Sequence, residues 1–201
     1  ILCLVAQKNW HLIEDCAHTL DGHYKGKLLG SIGDFGFHAI HKILPTTDGG
    51  ILRNNNVNCN FEISPEEEGI KLSTLDVFNR SEMSRISAVR EQNFNRYLER
   101  LPRENQHYRL LHTALPDGVV PLNFPVLIQN GKREQIYFKM IEKGAVPVAL
   151  YHTLIPEVMS PEFSNTVAFS SMILNFPVHQ DTLTEDVDRV CDTFFEILNQ
   201  L

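Results

Sequence analysis

The stretch that decides the fold is FGFHAIHKILPTTDGGIL, residues 35–52, in which an apolar run leads to a single lysine and then to paired glycines. We interpret residues 35–44 as a β-strand leading to Lys42, and DGGIL as a turn that opens another short strand. Upstream, HLIED at residues 11–15 predicts a short buried strand that ends in two acids. Residues 1–53 are therefore interpreted as the tail of an α/β domain.

The rest of the chain predicts a second, smaller α+β domain. Polar residues 54–80 predict a surface segment, and the apolar spacing predicts a long helix over 81–101. Strands and helices then alternate, so we predict two domains, 1–80 and 81–201. The later predicted elements are strands near 108–112 and within 121–130, a helix at 133–144, a strand at 145–152, a helix over 164–174, and a last helix with a capping box from Thr182 to Glu185.

Composition excludes several classes of protein. The 201 residues carry a net charge of -7, which argues against nucleic acid or an anionic membrane as the main partner. The four cysteines are widely spaced, no signal peptide is visible in these residues, and no apolar run approaches the roughly 20 residues of a membrane helix. We therefore expect a reduced, cytoplasmic protein. The chain opens at Ile1 in an uncapped apolar helix, so we also expect that an N-terminal portion precedes it.

Two places carry residues suited to chemistry. Asp15 ends an apolar strand, where a carboxylate meets a pocket mouth in open α/β sheets, and His18 follows three residues later. Lys42, at a strand-to-turn position, would lose its proton more easily than a free amine and could form a Schiff base with a carbonyl. The alternatives are that Asp15 caps a turn, that His18 is a surface residue and that Lys42 faces solvent.

Together these motifs resemble the DegT/DnrJ/EryC1/StrS family of PLP-dependent aminotransferases. The resemblance covers nearly the whole chain, and its specific part is residues 13–50. The matching motifs are the acid pair and following residues at Glu14–Asp15–Cys16–Ala17–His18, the glycine loop at Lys25–Gly26, Gly30 and Gly33–Asp34, and the lysine segment at Lys42, Asp48, Gly49 and Gly50.

The resemblance implies a fold, a cofactor and roles for particular residues. The fold would be the C-terminal part of a fold-type-I large domain followed by a small α+β domain. The cofactor would be pyridoxal 5'-phosphate, with Asp15 pairing its ring nitrogen, His18 beside its phenolic oxygen and Lys42 as covalent carrier and general base. Where the family often has a serine that bonds the cofactor phosphate, this sequence has His38 and Ala39, so at these two expected cofactor-binding positions that contact would be altered or lost. His152 and His179 would line the substrate side of the cleft. The alternative for both histidines is a packing or surface position.

Two classes of function remain. The first is an aminotransferase that moves an amino group from a donor, glutamate, to a keto sugar that is nucleotide-linked; the family also implies a homodimer. A PLP-dependent sugar dehydratase is a lesser variant, which usually has histidine in place of the lysine. The second class is a catalytically inactive remnant or binding protein that retains the fold. No metal site is predicted, because His38 and His41 lie three apart in a strand and point to opposite faces.

Overall fold

The computed structural model shows a mixed α/β chain. It describes residues 2–59, 69–148 and 153–201. The chain forms two compact units, Ile1–Ile86 with Pro116–Val120, and Ser87–Leu115 with Pro121–Leu201. The domain boundary after residue 80 stays a prediction. Among the described residues, no helix combines the length and the apolar character that crossing a membrane requires.

The first unit is built on a three-stranded sheet in the order β1-β4-β5. Strand β1 pairs with β4 in parallel, and β4 pairs with β5 in antiparallel fashion. A short 3-10 turn, Ile40–Lys42, follows β4 directly. The elements of this unit are α1 (Leu2–Lys8), β1 (Ile13–Asp15), β2 (His23–Tyr24), β3 (Lys27–Leu28), β4 (Phe35–Ala39), β5 (Gly50–Asn54) and α2 (Leu72–Arg80).

The two faces of this sheet differ in exposure because successive side chains of a strand point to opposite sides. Asp15, Phe37 and Leu52 are register partners and share one face, where Phe37 is 38% and Leu52 55% exposed. Glu14 and His38 point to the other face, where His38 is only 4% exposed. The acid pair is thus divided between an open and a covered face.

The second unit has an antiparallel sheet, β6-β7-β8, packed against helices. Its large core is buried because β7 and β8 carry apolar side chains on the covered face while α6 presents an apolar stripe. Phe194 of α6 lies near the rings of Tyr108 and Phe176. The elements are α3 (Met83–Arg100, which starts in the first unit), β6 (Tyr108–Leu110), β7 (Asn123–Ile128), α4 (Arg133–Glu142), α5 (Ser164–Met172), β8 (Ile173–Pro177) and α6 (Thr184–Leu198).

Several predicted elements need correction. The surface segment predicted over 54–80 contains helix α2, whose Thr74 is 2% exposed. The strand predicted to run to Lys42 ends at Ala39, and the lysine closes a 3-10 turn. The helix predicted over 164–174 ends at Met172, because Leu174 enters the core through pairing with β7.

Two further differences concern the end of the chain. The last helix begins at Thr184, and Oδ2 of Asp186 accepts the backbone N–H of Leu183 at 3.2 Å, so the predicted box from Thr182 to Glu185 is wrong. Of the strand predicted at 145–152, the described part shows a single bridge from Val148 to Asn175. Its last four residues, and the acidic run at 66–68, lie outside the described residues.

Candidate active site

The candidate site begins at one edge of the first sheet. Strands β1 and β4 are parallel, so their carboxyl ends meet at the same edge, with Asp15 ending β1 and Lys42 three residues beyond β4. Open α/β sheets bind ligands at such an edge. The predicted carboxylate and amine are therefore brought to one region by the strand register.

The backbone next to Lys42 is fixed by hydrogen bonds and by buried neighbouring side chains, whereas the amine of Lys42 is exposed. The N–H groups of Ile43 and Leu44 donate to the carbonyl of Ile40 at 3.0 and 2.9 Å, and these three side chains are 2–4% exposed. The side-chain Nζ of Lys42 lies 2.9 Å from Nε2 of His18, at hydrogen-bond distance. An ammonium Nζ donates, in which case Nε2 accepts.

Asp15 presents its carboxylate on the open face. Oδ1 accepts the N–H of Ala17 at 3.0 Å, which shapes the turn that carries His18 towards Lys42. This hydrogen bond to Ala17 is the contact expected if Asp15 caps a turn, which was the alternative interpretation of this residue. The exposure of its side chain, beside Phe37 on the same face, leaves the carboxylate accessible to a ligand as well.

His38 and Ala39 have a different placement. Nδ1 of His38 donates to the carbonyl of Thr19 at 2.8 Å, and the buried Nε2 has no hydrogen-bond partner in the part of the chain that the structure describes. A Cβ on Gly30 would stand 2.5 Å from that Nε2. Ala39 is half-buried and pairs with Gly50. Neither residue supplies a hydroxyl, and His38 lies on the face opposite Asp15; contact of His38 and Ala39 with a cofactor stays a prediction.

Glu14 supports the site from the covered face, a role that the sequence analysis missed. Its Oε1 accepts the N–H groups of Ile32 at 2.6 Å and Gly33 at 2.7 Å, and its Oε2 accepts that of Gly30 at 3.0 Å. Burial raises the pKa of this carboxyl, but the hydrogen bonds from Gly33, Gly30 and Ile32 together bring the pKa below its ordinary value. The signal was present in the sequence as an acid at the buried position of an alternating strand.

The predicted substrate histidines receive no direct support from the geometry. His179 belongs to the second unit, where burial, followed by the charge of Arg90, lowers its pKa. Its Nδ1 accepts the N–H of Asp181 at 3.3 Å. His152 lies outside the described residues. Their role at a substrate stays a prediction.

The arrangement suits a planar ligand that carries an aldehyde and a basic ring nitrogen. A primary amine can bond covalently to the aldehyde, and a carboxylate can hold a proton on the nitrogen. The residues at this edge therefore fit pyridoxal phosphate by the chemistry of Lys42, Asp15 and His18. The phosphate is not accounted for, because positions 38 and 39 offer no hydroxyl.

Comparison with known proteins supports the resemblance found in the sequence. Residues 1–63 match the DegT/DnrJ/EryC1/StrS aminotransferase family. The UDP-4-amino-4,6-dideoxy-N-acetyl-beta-L-altrosamine transaminase of Campylobacter jejuni is 23% identical over 98% of this chain and 61% of its own length. The GDP-perosamine synthase of Caulobacter vibrioides is 23% identical over 98% of this chain and 62% of its own length. The chain thus spans about three fifths of the length of these relatives.

Solved structures confirm the predicted fold class. A Streptococcus pneumoniae protein described as a sugar aminotransferase, in its PLP form, matches with a TM-score of 0.69 at 16% identity, over 94% of this chain and 58% of that protein. At this identity the likeness shows the fold alone. The chain shares the fold of the part of these fold-type-I aminotransferases that it covers, 59–62% of their length, and the predicted family resemblance is confirmed.

Proposed function

We propose that this chain, which is related to the DegT/DnrJ/EryC1/StrS aminotransferases, belongs to a PLP-dependent enzyme that moves an amino group from glutamate to a keto sugar. The observation that carries the proposal is the 2.9 Å contact between Lys42 and His18 at the edge where Asp15 ends the neighbouring parallel strand. The names of the relatives support a nucleotide-linked sugar as acceptor. The family also supports a homodimer.

Each of the three residues has a task in this proposal. Asp15 holds a proton on the cofactor's ring nitrogen, and His18 lies beside Lys42 and orients its amine. Lys42 would hold the cofactor covalently, and its free Nζ would carry a proton to and from the substrate carbon. The cofactor, when bound, supplies the ring that accepts the electron pair left at that carbon.

The experiment is borohydride reduction of the protein in the presence of PLP, followed by peptide mass spectrometry. We expect a reduced adduct on Lys42, no adduct in Lys42→Arg, and an undiminished adduct in the control Lys27→Arg, which changes an exposed lysine of β3. Equal labelling of Lys27 and Lys42, or none on Lys42, would refute the proposal.

A second step separates the enzyme from the inactive alternative. Glutamate and a nucleotide-linked keto sugar should yield 2-oxoglutarate with the wild type. Asp15→Ala should still trap the cofactor on Lys42 but release no 2-oxoglutarate, because the ring nitrogen loses its proton. Normal turnover by Asp15→Ala contradicts the role of that carboxylate, and trapping without turnover in the wild type favours the inactive binding protein.

A further inference from the structure

The turn that follows Lys42 is tied back to the turn that carries it. The N–H of Ile40, the first residue of the 3-10 turn, donates to the carbonyl of Gly49 at 3.0 Å. The hydroxyl of Thr46 donates to the carbonyl of Asp48 at 3.0 Å and closes the intervening loop. The position of Lys42 therefore depends on where residues 48 and 49 lie.

Helix α2 packs directly on residues 48 and 49. Gly49 has φ +101, a conformation that side chains rarely adopt, and a Cβ there would stand 2.8 Å from Cγ2 of Thr74 and 3.1 Å from Cδ1 of Ile70. The glycine is needed for its backbone conformation and also for the close approach of the helix. Cδ1 of Ile40 would be the third neighbour, at 3.3 Å.

A hydrogen bond fixes this approach. The buried hydroxyl of Thr74 donates to Oδ1 of Asp48, and Nζ of Lys71 lies 3.6 Å from Oδ2. The bond from Thr74 is the main cause that holds the pKa of Asp48 below its ordinary value. Thr74 is 2% exposed, whereas the Asp48 side chain is 29% exposed, so an apolar replacement of Thr74 removes one donor from a carboxylate that still contacts Lys71 and solvent.

We infer that Thr74 is a positioning residue for Lys42, acting through Asp48, Gly49 and the N–H of Ile40. Nothing in the local sequence around Lys42 indicates this residue, which lies 32 positions further along the chain. The inference rests on the proposed function, since a precise placement matters only for a lysine that must meet a cofactor aldehyde. It assigns to helix α2 the task of holding the reactive amine at the edge of the sheet.

The test compares Thr74→Val with Thr74→Ser in the same protein. Valine keeps the shape and removes the hydroxyl, whereas serine keeps the hydroxyl. We expect Thr74→Val to raise the amide exchange rate of Ile40 about tenfold, from the loss of one hydrogen bond to a charged group. The rate of borohydride trapping of PLP on Lys42 should fall by a similar factor. Thr74→Ser should restore both rates to near the wild-type values.

A second variant covers the case in which Thr74→Val does not fold. Asp48→Ala removes the same hydrogen bond from the acceptor side, together with the contact to Lys71, and should change the same two rates in the same direction by at least as much. If both single variants fold, the double variant should be no worse than Asp48→Ala, because Asp48→Ala already removes the one interaction that Thr74→Val removes. Full additivity would overturn the inference.

The outcomes separate this inference from the proposed function. If the wild type traps no PLP on Lys42, the proposed function fails, while the exchange rate of Ile40 still reports whether Thr74 holds the turn. If exchange rises but trapping continues at the wild-type rate, Thr74 is structural and the positioning role is overturned. If neither rate changes in Thr74→Val, the hydrogen bond does not hold the turn.

Discussion

Replacement of Glu14 by Gln tests whether the acid pair is divided between a supporting and a reactive carboxylate. The matched control is Asp15→Asn, because both variants remove one negative charge and turn one oxygen into an NH₂ group on adjacent residues of β1. The two side chains point to opposite faces of the sheet. Any difference between the variants therefore reports the contacts of each carboxylate, not the change in net charge.

The magnitude follows from the three hydrogen bonds that Glu14 accepts. Glutamine has one carbonyl oxygen, so at least one of the N–H groups of Gly30, Ile32 and Gly33 would face an NH₂ donor. The loss of a hydrogen bond to a charged group costs about 1.5–3 kcal/mol. Part of this cost is offset because the glutamine variant no longer buries a charge. We expect Glu14→Gln to lower the free energy of unfolding of the first unit by about 1–3 kcal/mol. Asp15→Asn should change it by less than about 0.5 kcal/mol, since the amide oxygen can still accept from Ala17.

The effect of Glu14→Gln should depend on pH. A carboxyl whose pKa is lowered by folding stabilises the folded state above its unfolded pKa, and the contribution is lost as pH falls through the folded pKa. The difference in the free energy of unfolding between wild type and Glu14→Gln should thus be largest at neutral pH. It should shrink as the pH falls below the ordinary glutamate pKa of about 4.3.

Two measurements check this prediction. Urea unfolding can be followed by the fluorescence of Trp10, the single tryptophan of the sequence, which lies in the first unit. Amide exchange at Gly30, Ile32 and Gly33 gives the local effect, at about tenfold per 1.4 kcal/mol. A loss of stability equal to that of Asp15→Asn, or one that does not change with pH, would refute the supporting role of Glu14.

Two further predictions concern the second unit. Burial raises the pKa of the Cys191 thiol to about 12, so a thiol reagent at neutral pH should modify the exposed Cys3 quickly and Cys191 only after unfolding. Peptide mass spectrometry measures the modification of each cysteine. Fast modification of Cys191 in the folded protein would contradict its burial. Phe194→Ala should lower the free energy of unfolding by about 3–5 kcal/mol, because the fully buried ring contacts other core rings. The control Phe138→Ala changes a ring that is 57% exposed and should lower the free energy of unfolding far less in the same denaturant titration. Equal losses in the two phenylalanine variants would contradict the assigned core.

The chemistry-bearing residues could be found from the sequence, but their supports could not. The family resemblance around Asp15, His18 and Lys42 implied one site, and the strand register and the contact of His18 with Lys42 bring the three residues to one edge, while their roles stay predictions. His38 stands where the family often has a serine for the cofactor phosphate, and its ring turns to the carbonyl of Thr19 on the covered face, a partner that the sequence does not indicate. The alternation of side chains along β4 places neighbouring positions on opposite faces of the sheet, but only the structure shows which of the two faces is covered.

The sequence by itself determined the alternation of β1 and β4, the apolar stripes of α3 and α6, and the family to which residues 1–63 are related. These features depend on neighbours within a few positions, where helical and strand periodicities operate. Only the tertiary structure decided that Glu14 binds N–H groups 16–19 residues away and that Thr74 binds Asp48 across 26 residues. Such partners depend on how the backbone brings distant segments together, and no local periodicity encodes that.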